Sequence, residues 1–293
     1  MNHTSFAECS ARERIDALLD PASFEEWLPP ADRVMSPHLA LLGVPAAFDD
    51  GVAVGRGRLD GREVFIAAQE GAFMGGGVGE VHGAKLTGWL RRALRDRPAV
   101  VLLLAESGGV RLHEANAGLI GVSEVMRAVL DVRAAGIPVV VLIGGANGCF
   151  GGMGIVARCA DRVVMSDVAR LSMSGPEVIE ASNGVEEFDS RDRALVWRTT
   201  GGKHRFLTGD CDALVEDDVA AFRAAAVAAL AGAARPVTLA SLEAEHALLA
   251  GRLADAPPDA DAFTLWRGLG VADPHRVPDL DVAAVRALVE DRA

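Results

Sequence analysis

The stretch Ile137 to Gly154, IPVVVLIGGANGCFGGMG, constrains the fold more than any other part of the chain. Pro138 to Ile143 is an unbroken branched apolar run, and strands of that kind belong to sheets covered on both faces. The run empties into a loop with glycine at Gly144, Gly145, Gly148, Gly151, Gly152 and Gly154. Ile155, Val156 and Ala157 then favour a helix, so the loop N–H groups fall near a helix N-terminus, where negative charge is stabilised. Two readings fit this pattern. The loop either presents main-chain amides to an anion, or it makes a tight strand-to-helix crossing that needs small residues.

A second site of the same design breaks the tie. Ala99 to Ala105 is another wholly apolar strand, and it ends in Glu106-Ser107-Gly108-Gly109. Leu112, Ala115, Leu119, Val122, Met126 and Val129 then recur three and four apart, which predicts one continuous apolar helix stripe. Gly136 stops that helix before the strand at Pro138. The result is a βαβ unit with glycine pairs at corresponding strand ends.

The flanking segments complete an α/β reading. GVAVGRGRLDGREVFIAAQE, from Gly51, predicts a hairpin across Asp60-Gly61. A glycine-rich turn, Gly75 to Gly79, opens a helix closed by Pro98. Arg162 to Ser166 and Ala169 to Met173 read as further strands, and Pro176 suits the first turn of a helix. An alanine-rich helix covers Val219 to Ala234. These features predict an N-terminal arm over residues 1–39, with a helix from Ala11 to Leu19, a main domain over 40–235, and a helical tail over 236–293 punctuated by Pro257-Pro258, Pro274 and Pro278.

Composition narrows the function. A net charge of −12 argues against non-specific nucleic-acid binding. With 5% aromatic residues and no tyrosine, the core must be built from Val, Leu and Ala. No apolar run of membrane-spanning length occurs, and the N-terminus is polar, so a cytoplasmic protein is expected. Cys9, Cys149, Cys159 and Cys211 form no C-x-x-C pair and no metal-ligand spacing.

Motif searches for side-chain chemistry return little. Gly152-x-Gly154-x-x-Ala157 has dinucleotide-type spacing but lacks the acidic partner about 20 residues on. Gly201-Gly202-Lys203 lacks the spacing of a P-loop, and SMSGP is not a nucleophile elbow. His82 and His113 read as helix-surface histidines or bases, and Cys149 as a small buried filler. Backbone donors are what recur, and chemistry that rests on backbone donors is enolate chemistry at a thioester. Losing such a donor costs about 3–4 kcal/mol of transition-state stabilisation.

Four segments carry a family resemblance. SGGVRLHEA (Ser107 to Ala115) resembles the S-G-G-A-R-x-Q-E segment of acetyl-CoA carboxylase carboxyltransferase β subunits. GAFMGGGVGEVHGAKL (Gly71 to Leu86) is similar to their F-M-G-G-S-M-G-x-x-x-G stretch. The central loop resembles their G-G-V-x-A-S turn, and MSGPEVIEA their A-G-P-x-V-I-E. The four-cysteine zinc ribbon of the bacterial split enzymes has no counterpart, since only Cys9 precedes the core, and a chain of this size looks more like the β subunit of biotin-independent malonate decarboxylase.

The resemblance implies a crotonase-like fold of stacked ββα units, and decarboxylation of a malonyl carrier thioester to the acetyl thioester and CO2. It implies no directly bound cofactor and no metal. The substrate would arrive on the phosphopantetheine-type (dephospho-CoA-derived) arm of an acyl carrier subunit. The partners implied are a crotonase-like γ subunit and that carrier, with a transferase subunit in the same hetero-oligomer. One oxyanion donor would be the N–H of Gly109 or Val110, the other that of Gly151 or Gly152. Gly75, Gly76 and Gly77 would line the arm's tunnel with Gly108 beside them and Met74 as an apolar wall. Arg111 would meet the departing carboxylate or pair with Glu114. No side chain stands out as the proton donor. An acidic carrier would dock on Arg91, Arg92, Arg95 and Arg97 or on Arg198 to Arg205, the second set being favoured. The rival readings are a biotin-dependent carboxyltransferase β subunit and a non-catalytic scaffold.

Overall fold

Among the described residues, seven strands lie side by side in the order in which the chain makes them. A computed structural model describes residues 4–32, 34–43, 49–257 and 260–290; Pro258 and the first three residues lie outside them. The first three strands are antiparallel: β1 (Glu25–Trp27), β2 (Val52–Leu59) and β3 (Arg62–Gln69). Asp60 and Gly61 both take left-handed φ values, 51° and 74°, as a two-residue hairpin turn of matching twist requires. From β3 onward the sheet is parallel, through β4 (Val101–Leu104), β5 (Val139–Ile143), β6 (Arg162–Ser166) and β7 (Ala213–Val215).

Strand alternation divides the core into two layers. Val101, Leu103, Val139, Val141 and Ile143 point to one face, covered by α3 (Glu80–Asp96), α4 (Ala117–Ala134) and α5 (Gly151–Cys159). Leu102, Leu104, Val140 and Leu142 point to the other, covered by α1 (Ala11–Leu18) and α9 (Val219–Ala229). Both faces are dry, which is why β4 and β5 show no polar alternation. Truncating fully buried Leu102 to alanine would cost about 2–5 kcal/mol.

The segment read as an N-terminal arm is woven into this core. Ile15 and Leu18 of α1 are fully buried against the sheet, and β1 is the sheet's edge strand. Ser10 and Glu13 cap the helix reciprocally, so local sequence starts α1 and its apolar face docks it. A short helix, α2 (Pro37–Leu41), follows.

Two further expectations need correction. Ala169 to Met173 does not join the sheet. Leu171 bridges Cys149 and Arg170 bridges Gly201, so this segment pairs with the turns beyond the strand ends. The seventh strand is instead Ala213–Val215, too short to leave a periodic signal. The apolar stripe from Leu112 to Val129 is also broken. Ala115 has a φ of 50°, α4 starts only at Ala117, and Leu112 is 83% exposed while Val122 and Val129 are buried.

After β6 come α6 (Pro176–Asn183), α7 (Arg193–Thr200) and α8 (Gly202–Leu207). The tail forms α10 (Leu239–Asp255), α11 (Ala262–Gly268) and α12 (Val282–Glu290). Trp266, Val271, Val277, Val282 and Val285 make a third small core against Leu207 and Leu214, whereas α10 has no buried residue.

Candidate active site

The two glycine turns meet beyond the C-terminal ends of β4 and β5. A short parallel ladder carries the strands' pairing into the turns: Ser107 N–H donates to Gly148 O (2.8 Å) and Phe150 N–H to Ser107 O (2.7 Å). A Cβ built on Gly151, whose φ is 60°, would stand 2.8 Å from the Cα of Gly109. Only glycine permits that approach with that backbone.

Hydrogen bonding sorts the four candidate donors. Gly109 N–H donates to Ser107 Oγ (3.2 Å), and Gly151 N–H donates to Met173 O (2.8 Å). Those amides are committed. The N–H groups of Val110 and Gly152 have no acceptor among the described residues, and both residues are only half-buried. Gly152 sits in the first turn of α5, where helix geometry leaves N–H groups without an internal partner. The pair open to a ligand is therefore Val110 with Gly152.

The third glycine turn stands beside the first. Gly108 N–H donates to Gly75 O (2.8 Å), Val78 N–H to Gly109 O (2.9 Å) and Arg111 N–H to Val78 O (3.0 Å). Gly75 and Gly108 are exposed and Met74 is half-buried. Gly76 and Gly77 are buried, with their N–H groups spent on Phe73 O and Met74 O, which removes them from the tunnel-lining set. Their role is close approach: a Cβ on Gly76 would lie 1.9 Å from Glu106 O.

Arg111 is not placed to meet a substrate. Its guanidinium, 1% exposed, donates to Asp50 Oδ1 (2.8 Å), Asp50 O (2.6 Å) and Glu114 Oε1 (3.1 Å), and it lies over the Phe73 ring. Glu114 Oε2 in turn accepts Glu80 N–H at the start of α3 (2.7 Å). Arg111 thus locks the first donor turn to α3. Burial raises the Asp50 carboxyl pKa despite this cation.

His82 lies beneath the turns, fully buried and not on the helix surface. Burial, with Arg111 and Lys85 nearby, lowers its pKa to about 3, so it is neutral. Gln69 Oε1 accepts Glu106 N–H, which leaves Gln69 Nε2 to donate to His82 Nε2 (3.1 Å) and puts the imidazole proton on Nδ1. Cys149 is an inert filler, its thiol pushed up to about 12 by burial. His113 is exposed beside the first turn. Among the described residues no group of His, Cys, Asp and Glu side chains could hold a metal ion.

Lys203 and Arg205 are both engaged within the chain. Lys203 Nζ donates to Pro278 O (2.7 Å) and Leu280 O (2.6 Å), pinning the tail. Arg205 is spent on Leu171 O and Asp210.

Residues 5–231 match the carboxyl transferase domain family. The chain belongs to that family. The malonyl-S-ACP:biotin-protein carboxyltransferase of Malonomonas rubra is 45% identical over 241 residues, covering 77% of this chain and 75% of that protein. The acetyl-coenzyme A carboxylase carboxyl transferase subunit beta of Fusobacterium nucleatum is 33% identical over 192 residues, 61% of this chain and 60% of that one. Among solved structures, a chain of the Pseudomonas malonate decarboxylase hetero-tetramer in complex with malonate superposes with a TM-score of 0.83 at 43% identity, covering 90% of this chain and 97% of that one. The carboxyl transferase domain here has the crotonase-like fold.

The sequence concealed three parts of this site. Asp50, Glu106 and Arg14 are buried charges in two separate pairings between distant segments, Asp50 with Arg111 and Arg14 with Glu106. Glu106, a lone carboxylate ending a wholly apolar strand, was the one visible signal.

Proposed function

We propose that this carboxyl transferase domain holds the enolate formed when a malonyl carrier thioester loses CO2. The Cα–carboxylate bond breaks, its electron pair moves onto Cα and the thioester oxygen, and the enolate then takes a proton at Cα to give the acetyl thioester. The observation that carries this reading is the pair of uncommitted amides, Val110 and Gly152, on turns that touch. Two preset donors aimed at one developing oxyanion stabilise it without reorganising at the moment of reaction. Exposed Gly75 and Gly108 leave an open edge for the carrier's phosphopantetheine-type arm.

The apolar residues around the turns support a partner-completed site. Leu112, Ile120 (61% exposed) and Met173 (68% exposed) all follow or flank the donor turns. Apolar surface of that kind next to a polar site fits burial under a second subunit, which we assign to a crotonase-like γ subunit within a hetero-oligomer that also holds the acyl carrier and a transferase subunit. No helix among the described residues is long and apolar enough to cross a membrane, and we place the complex in the cytoplasm.

A second reading has its own support. The Malonomonas relative is named for passing the carboxyl group to a biotin protein, and the same two amides serve the enolate in that reaction. CO2 release from malonyl carrier thioester by the assembled complex, with and without avidin, separates them. Release untouched by avidin is expected; release abolished by avidin assigns the biotin route.

A further inference from the structure

Glu106 is a buried carboxylate that the enolate reading leaves without a task. It stands two residues past the end of the apolar strand β4, one residue before the first donor turn, and it is 5% exposed. One oxygen accepts the N–H of Asn147, in the second donor turn, at 3.0 Å. The other is paired with the guanidinium of Arg14. Arg14 lies in α1 on the far layer of the sheet, held by Phe6 O (2.8 Å) and Ala7 O (3.2 Å) and seated over the Phe6 ring. Asn147 completes the junction by donating from Nδ2 to Gly71 O (2.8 Å), beside the third glycine turn.

The fit around this carboxylate leaves no slack. A Cβ on Gly145 would stand 2.2 Å from it and one on Gly71 2.4 Å. Glu106 therefore fills a slot between three chain segments, with an anchor that reaches across the sheet. Its own backbone continues into Ser107, whose hydroxyl takes up Gly109 N–H and so leaves Val110 as the free amide. The second turn runs from Asn147 directly through Phe150 to Gly152.

We propose that Arg14 and Glu106, acting through Asn147, are positioning residues that set the gap between the Val110 and Gly152 amides. This rests on the enolate reading and assigns that site its rigid frame. Buried ion pairs of this kind contribute little net stability against an apolar substitute, yet they fix geometry when fully hydrogen-bonded. A displacement of about 1 Å between catalytic groups costs on the order of 100-fold in rate.

The test uses the assembled complex and follows exchange of the acetyl carrier thioester's α-protons with deuterium oxide, which reports the enolate whatever becomes of CO2. Glu106→Gln keeps the shape and loses the charge that holds Arg14. It is expected to lower kcat for exchange at least 30-fold in the folded complex, with KM moved less than threefold and Tm lowered by about 5–10 °C, because the Arg14 charge stays buried without its partner. Arg14→Lys should give a smaller loss, and combined with Glu106→Gln it should add nothing further, because the two act as one unit. A folded Glu106→Gln variant that exchanges at the wild-type rate, or loses only KM, overturns the proposal. If Glu106→Gln does not fold, Asn147→Gly carries the test, with at least a fivefold loss of kcat expected and wild-type kcat overturning it. A wild-type complex that neither exchanges α-protons nor releases CO2 overturns the enolate reading and this proposal together, whereas active wild type with unaffected variants removes the positioning alone.

Discussion

Gly151 approaches Gly109 so closely that a Cβ on the first would stand 2.8 Å from the Cα of the second. The contact joins residues from two different strand ends and sets the two uncommitted amides on either side of it. Gly151→Ala adds both that clash and a strained left-handed φ of 60°. Activity of the assembled complex should fall at least 100-fold, consistent with losing one oxyanion donor at about 2.7–4 kcal/mol. Far-UV circular dichroism and partner capture should be retained. Full activity in the variant would leave only a scaffold role.

Arg111→Ala should act on stability and not on substrate affinity. It strands the Asp50 and Glu114 carboxylates in a site where both are fully buried. Breaking such a group costs about 3–5 kcal/mol, read as a lower denaturation midpoint in urea. KM for the malonyl thioester in whatever remains folded should stay where it was. A specific rise in KM at unchanged stability would restore Arg111 to the substrate.

Stability should fall as pH drops from 6.5 toward 4. Unfolded histidines bind protons near 6.5, while burial holds His82 to about 3 and His204 to about 4. Across that window the unfolded chain carries up to two protons more than the folded one, so stability is lost with falling pH at up to about 2.7 kcal/mol per unit. Asp50 and Asp167, whose carboxyl pKa values burial raises, work in the opposite sense above 3.8. Urea midpoints at pH 7, 6 and 5 measure the slope, and His204→Asn should roughly halve it.

Lys203→Met should loosen the tail and leave carrier binding alone. The ammonium holds the carbonyls of Pro278 and Leu280. Limited proteolysis should cut faster between α11 and α12, while the carrier's affinity and its salt dependence stay at wild-type values. Loss of affinity with a flatter salt dependence would place the carrier on this surface.

Much of this architecture could be read from the chain alone, and the physical reason is local. The apolar runs at Val101 and Val139 have no polar alternation, so they had to be parallel strands buried on both faces. Asp60-Gly61 specifies its own hairpin, and the glycine pairs mark where the backbone comes close to something. The motif resemblance rested on those same short segments. What stayed hidden depended on partners far along the chain. Arg14 meets Glu106 across 92 residues and Arg111 meets Asp50 across 61, and no local pattern announces either pair. The break at Ala115 turned an apparent helix stripe into an exposed rim.

The sequence by itself determined that two amide-bearing turns sit at neighbouring strand ends, because strand, glycine and helix signals act over a few residues. Only the tertiary structure decided which amides are free. Ser107 and Met173 claim the N–H groups of Gly109 and Gly151, leaving those of Val110 and Gly152. Which hydrogen bonds are already made depends on what folding brings alongside, and that is set by packing across the whole sheet.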